Sequence, residues 1–135
     1  MDIDSLRKCC LSLPNSTEDV QWENDLLFRI GGKIFAVVNL DLSSPNRLSF
    51  KCSSKVFAEL IEREGIIRAP YVARYHWVAL QRFDALDESE IKKLIRDSYD
   101  RVFAKLPKKV KARFSQGTQT TPNPREQVGR KRRRF

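Results

Sequence analysis

Leu26-Leu27-Phe28-Arg29-Ile30-Gly31-Gly32-Lys33-Ile34-Phe35-Ala36-Val37-Val38-Asn39-Leu40 is the stretch on which the fold turns. Two runs rich in β-branched and aromatic residues flank a diglycine. Glycine reaches positive φ without a Cβ clash, and two such residues between strand-like runs make a two-residue hairpin turn. The sequence therefore predicts an antiparallel pair here, and a sheet that grows outward from it.

Downstream, Ser43-Ser44-Pro45-Asn46 reads as a second turn. It leads to a strand whose Leu48, Phe50 and Cys52 point one way while Arg47, Ser49 and Lys51 point the other. Ser53 then caps a predicted helix over residues 54–64, with Val56, Phe57, Leu60 and Ile61 inward and Gly65 as its stop. After an irregular stretch around Ala69-Pro70, residues 76–83 alternate as a further strand. Asp87 and Glu90 have the spacing of a capping box, and a long helix follows with Ile91, Leu94, Ile95, Ser98, Val102 and Leu106 along its inner stripe. Glu88 with Lys92 and Asp97 with Arg101 form outer pairs four residues apart, and Pro107 closes the helix. Upstream, Asp2 caps a predicted helix over residues 3–13, on which Ile3, Leu6, Cys10 and Leu13 fall on one side, and Pro14 ends it. The order is helix, three strands, helix, one or two strands, helix. That is an α+β class: an antiparallel sheet of about four to five strands with helices packed on it.

Charge divides the chain differently. Residues 1–104 carry 15 Lys and Arg against 16 Asp and Glu, while residues 105–135 carry 11 against 1. A nearly neutral body and a basic end imply two jobs, folding and electrostatic contact with a polyanion. Residues 115–129 are rich in Ser, Thr, Gln, Asn, Gly and Pro, which bury too little to offset ordering entropy, so this segment is expected to be disordered. The longest apolar runs, such as residues 34–38, fall far short of the roughly 20 residues of a membrane span. The amino terminus lacks the basic and apolar regions of a secretory signal. Three cysteines without paired spacing do not form a disulfide framework, and Cys10 and Cys52 read as small buried apolar residues. A cytoplasmic protein that binds no membrane is the expectation.

The combination of Cys10-Leu11-Ser12-Leu13-Pro14 with Thr17-Glu18, residues 28–36, Leu48 with Lys51-Cys52, His76-Trp77, and Ser98-Tyr99 leading to Ala104-Lys105-Leu106-Pro107-Lys108-Lys109 resembles the MmcQ/YjbR family of small bacterial proteins described as DNA-binding. The resemblance implies a CyaY-like (frataxin-like) α+β domain over residues 1–111, monomeric or weakly associating, that binds DNA without chemistry. Residues 112–135 lie outside it as a flexible basic tail.

No residue pattern supplies catalytic chemistry. His76, the single histidine, has no nucleophile and orienting carboxylate at telling spacing, and reads as a half-buried strand-end histidine or, with Arg74 and Tyr75, part of a nucleic-acid surface. The first helix offers only Asp2 and Asp4 toward iron, and no His/Cys cluster suggests zinc, so neither a metal nor a cofactor is expected. Lys33, Arg47 and Lys51 can form a basic patch on the sheet, against the plainer reading of a solvated face in which Asp25 and Asp41 cancel the field. The densest charge is Lys105, Lys108, Lys109, Lys111 and Arg113, followed by Arg130, Lys131, Arg132, Arg133 and Arg134. Such side chains neutralise phosphates and release counterions without reading bases. A solubilising run, a nuclear-import-like cluster, or attraction to an acidic membrane or protein are the rival readings of that end. The expectation is a non-enzymatic nucleic-acid-binding protein, DNA rather than RNA being the ligand. The alternative is a protein-interaction module of the same fold, with the tail as a tether and exposed aromatics such as Trp22, Tyr71 or Tyr75 as anchors.

Overall fold

The computed structural model describes residues 1–21, 24–41, 43–70 and 72–117. Its elements run α1 (Ile3–Leu11), β1 (Thr17–Gln21), β2 (Asp25–Ile30), β3 (Lys33–Asn39), β4 (Leu48–Lys51), α2 (Ser54–Leu60), β5 (Ile66–Arg68), β6 (Trp77–Leu80), α3 (Glu88–Ala104) and α4 (Lys108–Gly117). The chain divides into two compact units, Met1–Lys105 and Leu106–Phe135.

The first unit is an antiparallel sheet in the order β1-β2-β3-β4-β6-β5, six strands where the sequence implied four to five. The diglycine hairpin is at its centre. Gly31 and Gly32 take φ of 59° and 81°, and Ile30 pairs directly with Lys33 across them. The two extra strands sit at the edges, which explains why the pattern hid them. β1, Thr-Glu-Asp-Val-Gln, is polar because only one neighbour orders it, and β5 is three residues long.

Helix α3 packs on one face of the sheet, across β2, β3 and β4, with α1 against it. The registers pair Leu26 with Val38, Phe28 with Ala36, Ala36 with Phe50, and Phe50 with Val78, so these side chains line the helical side. They meet Leu6 and Cys10 of α1 and Ile91, Ile95 and Val102 of α3, all buried. Tyr99 closes this core edge-on to Phe35, ring centroids 5.4 Å apart, and its hydroxyl donates to the carbonyl of Pro14 at 2.5 Å, tying the loop after α1 to α3.

The central ladder carries one irregularity. Between Phe28 and Arg29 the partner in β3 jumps from Ala36 to Ile34, leaving Phe35 as a bulge with its ring in the core. Pairing of β3 with β4 reaches only as far as Ala36 and Phe50, so the next rung, Phe35 with Lys51, is missing. The hydroxyl of Ser98, fully buried on α3, takes its place. It donates to the Phe35 carbonyl at 2.7 Å and accepts from the Lys51 backbone N–H at 3.1 Å.

Several local expectations are corrected. Helix α1 ends at Leu11, with Ser12 as its cap, and α2 at Leu60, each shorter than the apolar spacing implied. The strand predicted from residue 76 starts at Trp77, because His76 takes a left-handed conformation, φ 66° and ψ 41°, and caps a short 3-10 turn over Ala73–Tyr75. That strand ends at Leu80, and Phe83 belongs to a second 3-10 turn. The capping box does not form. Asp87 holds the cap position without a side-chain bond, and Glu90 pairs instead with Arg63 at 3.0 Å. The two predicted pairs four residues apart are present, Lys92 with Glu88 at 3.1 Å and Arg101 with Asp97 at 2.8 Å.

In the second unit, α4 opens on Pro107, whose carbonyl accepts from Val110 and Lys111 at 3.0 and 3.1 Å. It continues to Gly117, so residues 115–117, expected to be disordered, are helical; the rest of that segment lies outside the described residues.

Replacing Ser98 with Ala strands a buried carbonyl and a part-buried N–H together, and is expected to lower stability in urea denaturation by about 3 kcal/mol. A loss under about 0.5 kcal/mol would mean that the rung re-forms without the hydroxyl. Gly32→Ala meets no atom within 4 Å, so its expected cost, about 1 kcal/mol, is that of φ +81° alone.

Candidate nucleic-acid interface

Four chain ends meet at one end of the sheet: the start of β3 at Lys33, the end of β4 at Lys51, the start of β6 at Trp77, and the end of α3, capped by Lys105. Antiparallel pairing puts Lys51 directly opposite Trp77, and the start of β3 runs two residues past the rung that Lys51 would share with Phe35. The result is a hollow of about 240 Å³ lined by Lys33, Ile34, Lys51, Trp77, Val102 and Lys105. Three lysines from three elements therefore border one small space. None of the three makes a salt bridge with a carboxylate among the described residues, and the nearby Arg101 is occupied by Asp97.

Burial and neighbouring like charge both act on Lys51. Burial first, then the Lys105 ammonium and the Arg101 guanidinium, hold its pKa below the usual 10.5. What partly offsets this repulsion is the end of the 17-residue helix α3, whose terminal carbonyls carry about half a negative charge. Charge of this kind, assembled without a partner, favours an anion.

A second hollow, of about 380 Å³, opens on the sheet face turned away from α3. Its floor is Ile34, Val37 and Trp77, its wall Ala69, Pro70 and Val72, and its polar groups are Asp25 and Ser49. Burial alone pushes the Asp25 carboxyl above its usual 3.8. The two hollows share Ile34 and Trp77.

The other residues singled out from the sequence lie elsewhere. Arg47 does not join Lys33 and Lys51. Its guanidinium donates to the carbonyls of Asp41, Ser44 and, at 3.5 Å, Asn39, closing the loop between β3 and β4. The Asp41 carboxylate is engaged by the backbone and hydroxyl of Ser43, which lower its pKa, and does not reach the lysines. Arg74 is exposed, stacked 4.9 Å over the ring of Tyr75. His76 sits half-buried with its ring 5.6 Å from that of Phe57, and its carbonyl accepts from Cys52 N–H at 2.9 Å. Lys108, Lys109, Lys111 and Arg113 are on α4, in the second unit. Arg130, Lys131, Arg132, Arg133 and Arg134, like Trp22 and Tyr71, lie outside the described residues.

Trp77, named from the sequence with His76 as a loop for docking a partner, joins the lysines here: it is a strand's first residue, in register with a lysine on the strand next to the hairpin. Cys10 and Cys52 are buried, the latter with its thiol pushed up to about 11 by burial, as inert apolar residues would be. Among the described residues no cluster of His, Cys, Asp and Glu could hold a metal, and no helix is long and apolar enough to cross a membrane.

Comparison with known proteins agrees with the fold and adds a family. The sequence matches the family model described as YjbR over residues 11–101. The structure is similar to the crystal structure of a Deinococcus radiodurans protein carrying the domain DUF419, with a TM-score of 0.74 and 25% identity over 84% of this chain and 87% of that one. It is also similar in fold to a protein from Pseudomonas syringae, with a TM-score of 0.61 and 19% identity over 76% of this chain and 99% of the other. No curated protein matches the chain.

The Lys51 side chain, followed by NMR of its Cε and Nζ, is expected to titrate below 10.5. Lys105→Gln removes the nearest like charge and should move that midpoint upward, and inorganic phosphate should do the same in the parent. An unmoved midpoint in both cases would separate the two lysines.

Proposed function

Because this chain belongs to the YjbR family and gathers Lys33, Lys51 and Lys105 around one hollow, we propose that it is a non-enzymatic DNA-binding protein of the cytoplasm, CyaY-like in fold, that grips phosphates. The convergence of the three lysines carries the reading. Each comes from a different element, so no local sequence preference explains their meeting, and no carboxylate among the described residues pairs with them. Burial and then the charge of Lys105 lower the Lys51 pKa, and a phosphate would offset both.

Helix α4 adds Lys108, Lys109, Lys111 and Arg113 within three turns, and the sequence beyond it adds Arg130 to Arg134. Contacts of this kind set affinity through counterion release and carry little sequence information. Weak base preference and steep salt dependence are the corresponding behaviour.

A protein-docking role is the second reading, and Tyr75 favours it: 49% exposed, with Arg74 above its ring. Aromatic residues with an adjacent guanidinium are common interface anchors. Partners retained from a lysate after nuclease treatment would support that role; partners lost on treatment would support the first.

Binding of the full chain to a labelled DNA duplex, measured by anisotropy across salt, should weaken steeply as salt rises. Lys51→Gln should reduce the log-log slope by about 0.9, the value for one phosphate contact. Arg47→Ala, which opens the loop between β3 and β4 instead, should leave the slope unchanged. Absence of binding at low salt, or equal slopes for Lys51→Gln and its parent, would contradict the proposal.

A further inference from the structure

The two hollows are one surface. They meet at Trp77 and Ile34, so a band of apolar wall leads from the three lysines, around the end of the sheet, onto its open face. The lysine end suits phosphate and the apolar end suits a flat ring, with Trp77 as the element common to both.

Duplex DNA cannot use both ends at once. Its bases are paired and stacked inside the helix, and phosphates are what it presents to a site of this depth. A single strand can. Its unstacked bases are free to lie on an aromatic side chain while the backbone follows a cationic groove, and stacking of this kind tolerates any base. At about 380 Å³ the apolar hollow lies within the size range of small-molecule sites and is ample for one base.

We propose that the sheet end of this protein binds single-stranded DNA, with one base held in the apolar hollow against Trp77 and the adjoining phosphates held by Lys33, Lys51 and Lys105. This rests on the phosphate-gripping role proposed above and makes it specific for the unpaired strand. The order of the pieces along the surface matches a nucleotide: ring at the hollow, anion at its mouth. Asp25 and Ser49 stand where the polar edge of the base would arrive.

The sequence holds two tryptophans, Trp22 and Trp77, so the full chain carrying Trp22→Phe has Trp77 as its sole tryptophan. Titrating that protein with a thymine-rich single strand and with a duplex of equal length gives two readouts, Trp77 fluorescence and anisotropy of a labelled oligonucleotide. The expected result is quenching of Trp77 by the single strand only, with affinity for the single strand about 10-fold above that for the duplex. Trp77→Leu in the unaltered parent should lower single-strand affinity by about 10-fold, within the span of one base-aromatic stack, and lower duplex affinity by less. Should that variant misfold, the quenching measurement still decides. Equal affinity for both forms without quenching would overturn the single-strand site and leave the phosphate grip standing. Failure of every oligonucleotide to bind would overturn both. A tyrosine-containing acidic peptide that quenches Trp77 and displaces the single strand at lower concentration would overturn the proposed occupant in favour of a protein partner.

Discussion

The hydroxyl of Ser98 stands in for a rung of the sheet. The bulge at Phe35 turns an aromatic ring into the core, and the ladder between β3 and β4 stops there, leaving a buried carbonyl and a part-buried N–H without a rung. Both find Ser98 Oγ, and α3 is thereby registered against the strands to within a hydrogen bond. A buried polar pair left unmet costs more than most single contacts contribute, so this position admits few other residues. The rung is also next to the lysine hollow, since the N–H it holds belongs to Lys51. One serine fixes both how the helix lies on the sheet and where that ammonium group begins.

From that registration the electrostatics follow. With Ser98 set against Phe35 and Lys51, two turns of helix later α3 ends beside the strand ends, and its cap is Lys105. Lys105 is therefore brought to Lys51 by the same contact that closes the core. Burial first, and then the like charge of Lys105 and Arg101, lowers the affinity of Lys51 for its proton. In the proposed function, a phosphate would meet cations that the fold has already brought to one end of the sheet.

Much of this was legible in the chain. The diglycine between two apolar runs fixed the central hairpin, because only that turn chemistry suits two consecutive positive φ values. The inner stripe of α3, including Ser98, could be read from its spacing, and Lys33, Lys51 and Lys105 were each visible as exposed cations. What the spacing could not carry was their convergence, since a bulge and a serine in place of a rung decide it, and neither has a local sequence signature. Arg47 alternates correctly with Lys51 yet turns into its own loop, where three carbonyls outcompete the open face. Edge strands β1 and β5 escaped for a related reason: with a neighbour on one side only, they need little apolar content to be held.

The proposed function rests on one place, the end of the sheet, where Lys33, Lys51, Lys105 and Trp77 line one hollow. The decisive measurement maps amide and indole chemical shifts of the full chain during titration with a short single-stranded oligonucleotide. The largest shifts are expected on Lys33, Ile34, Lys51, Lys105 and the Trp77 indole, while the far edge strand β1 stays still. Shifts confined to β1, with the sheet end unmoved, would refute a site there.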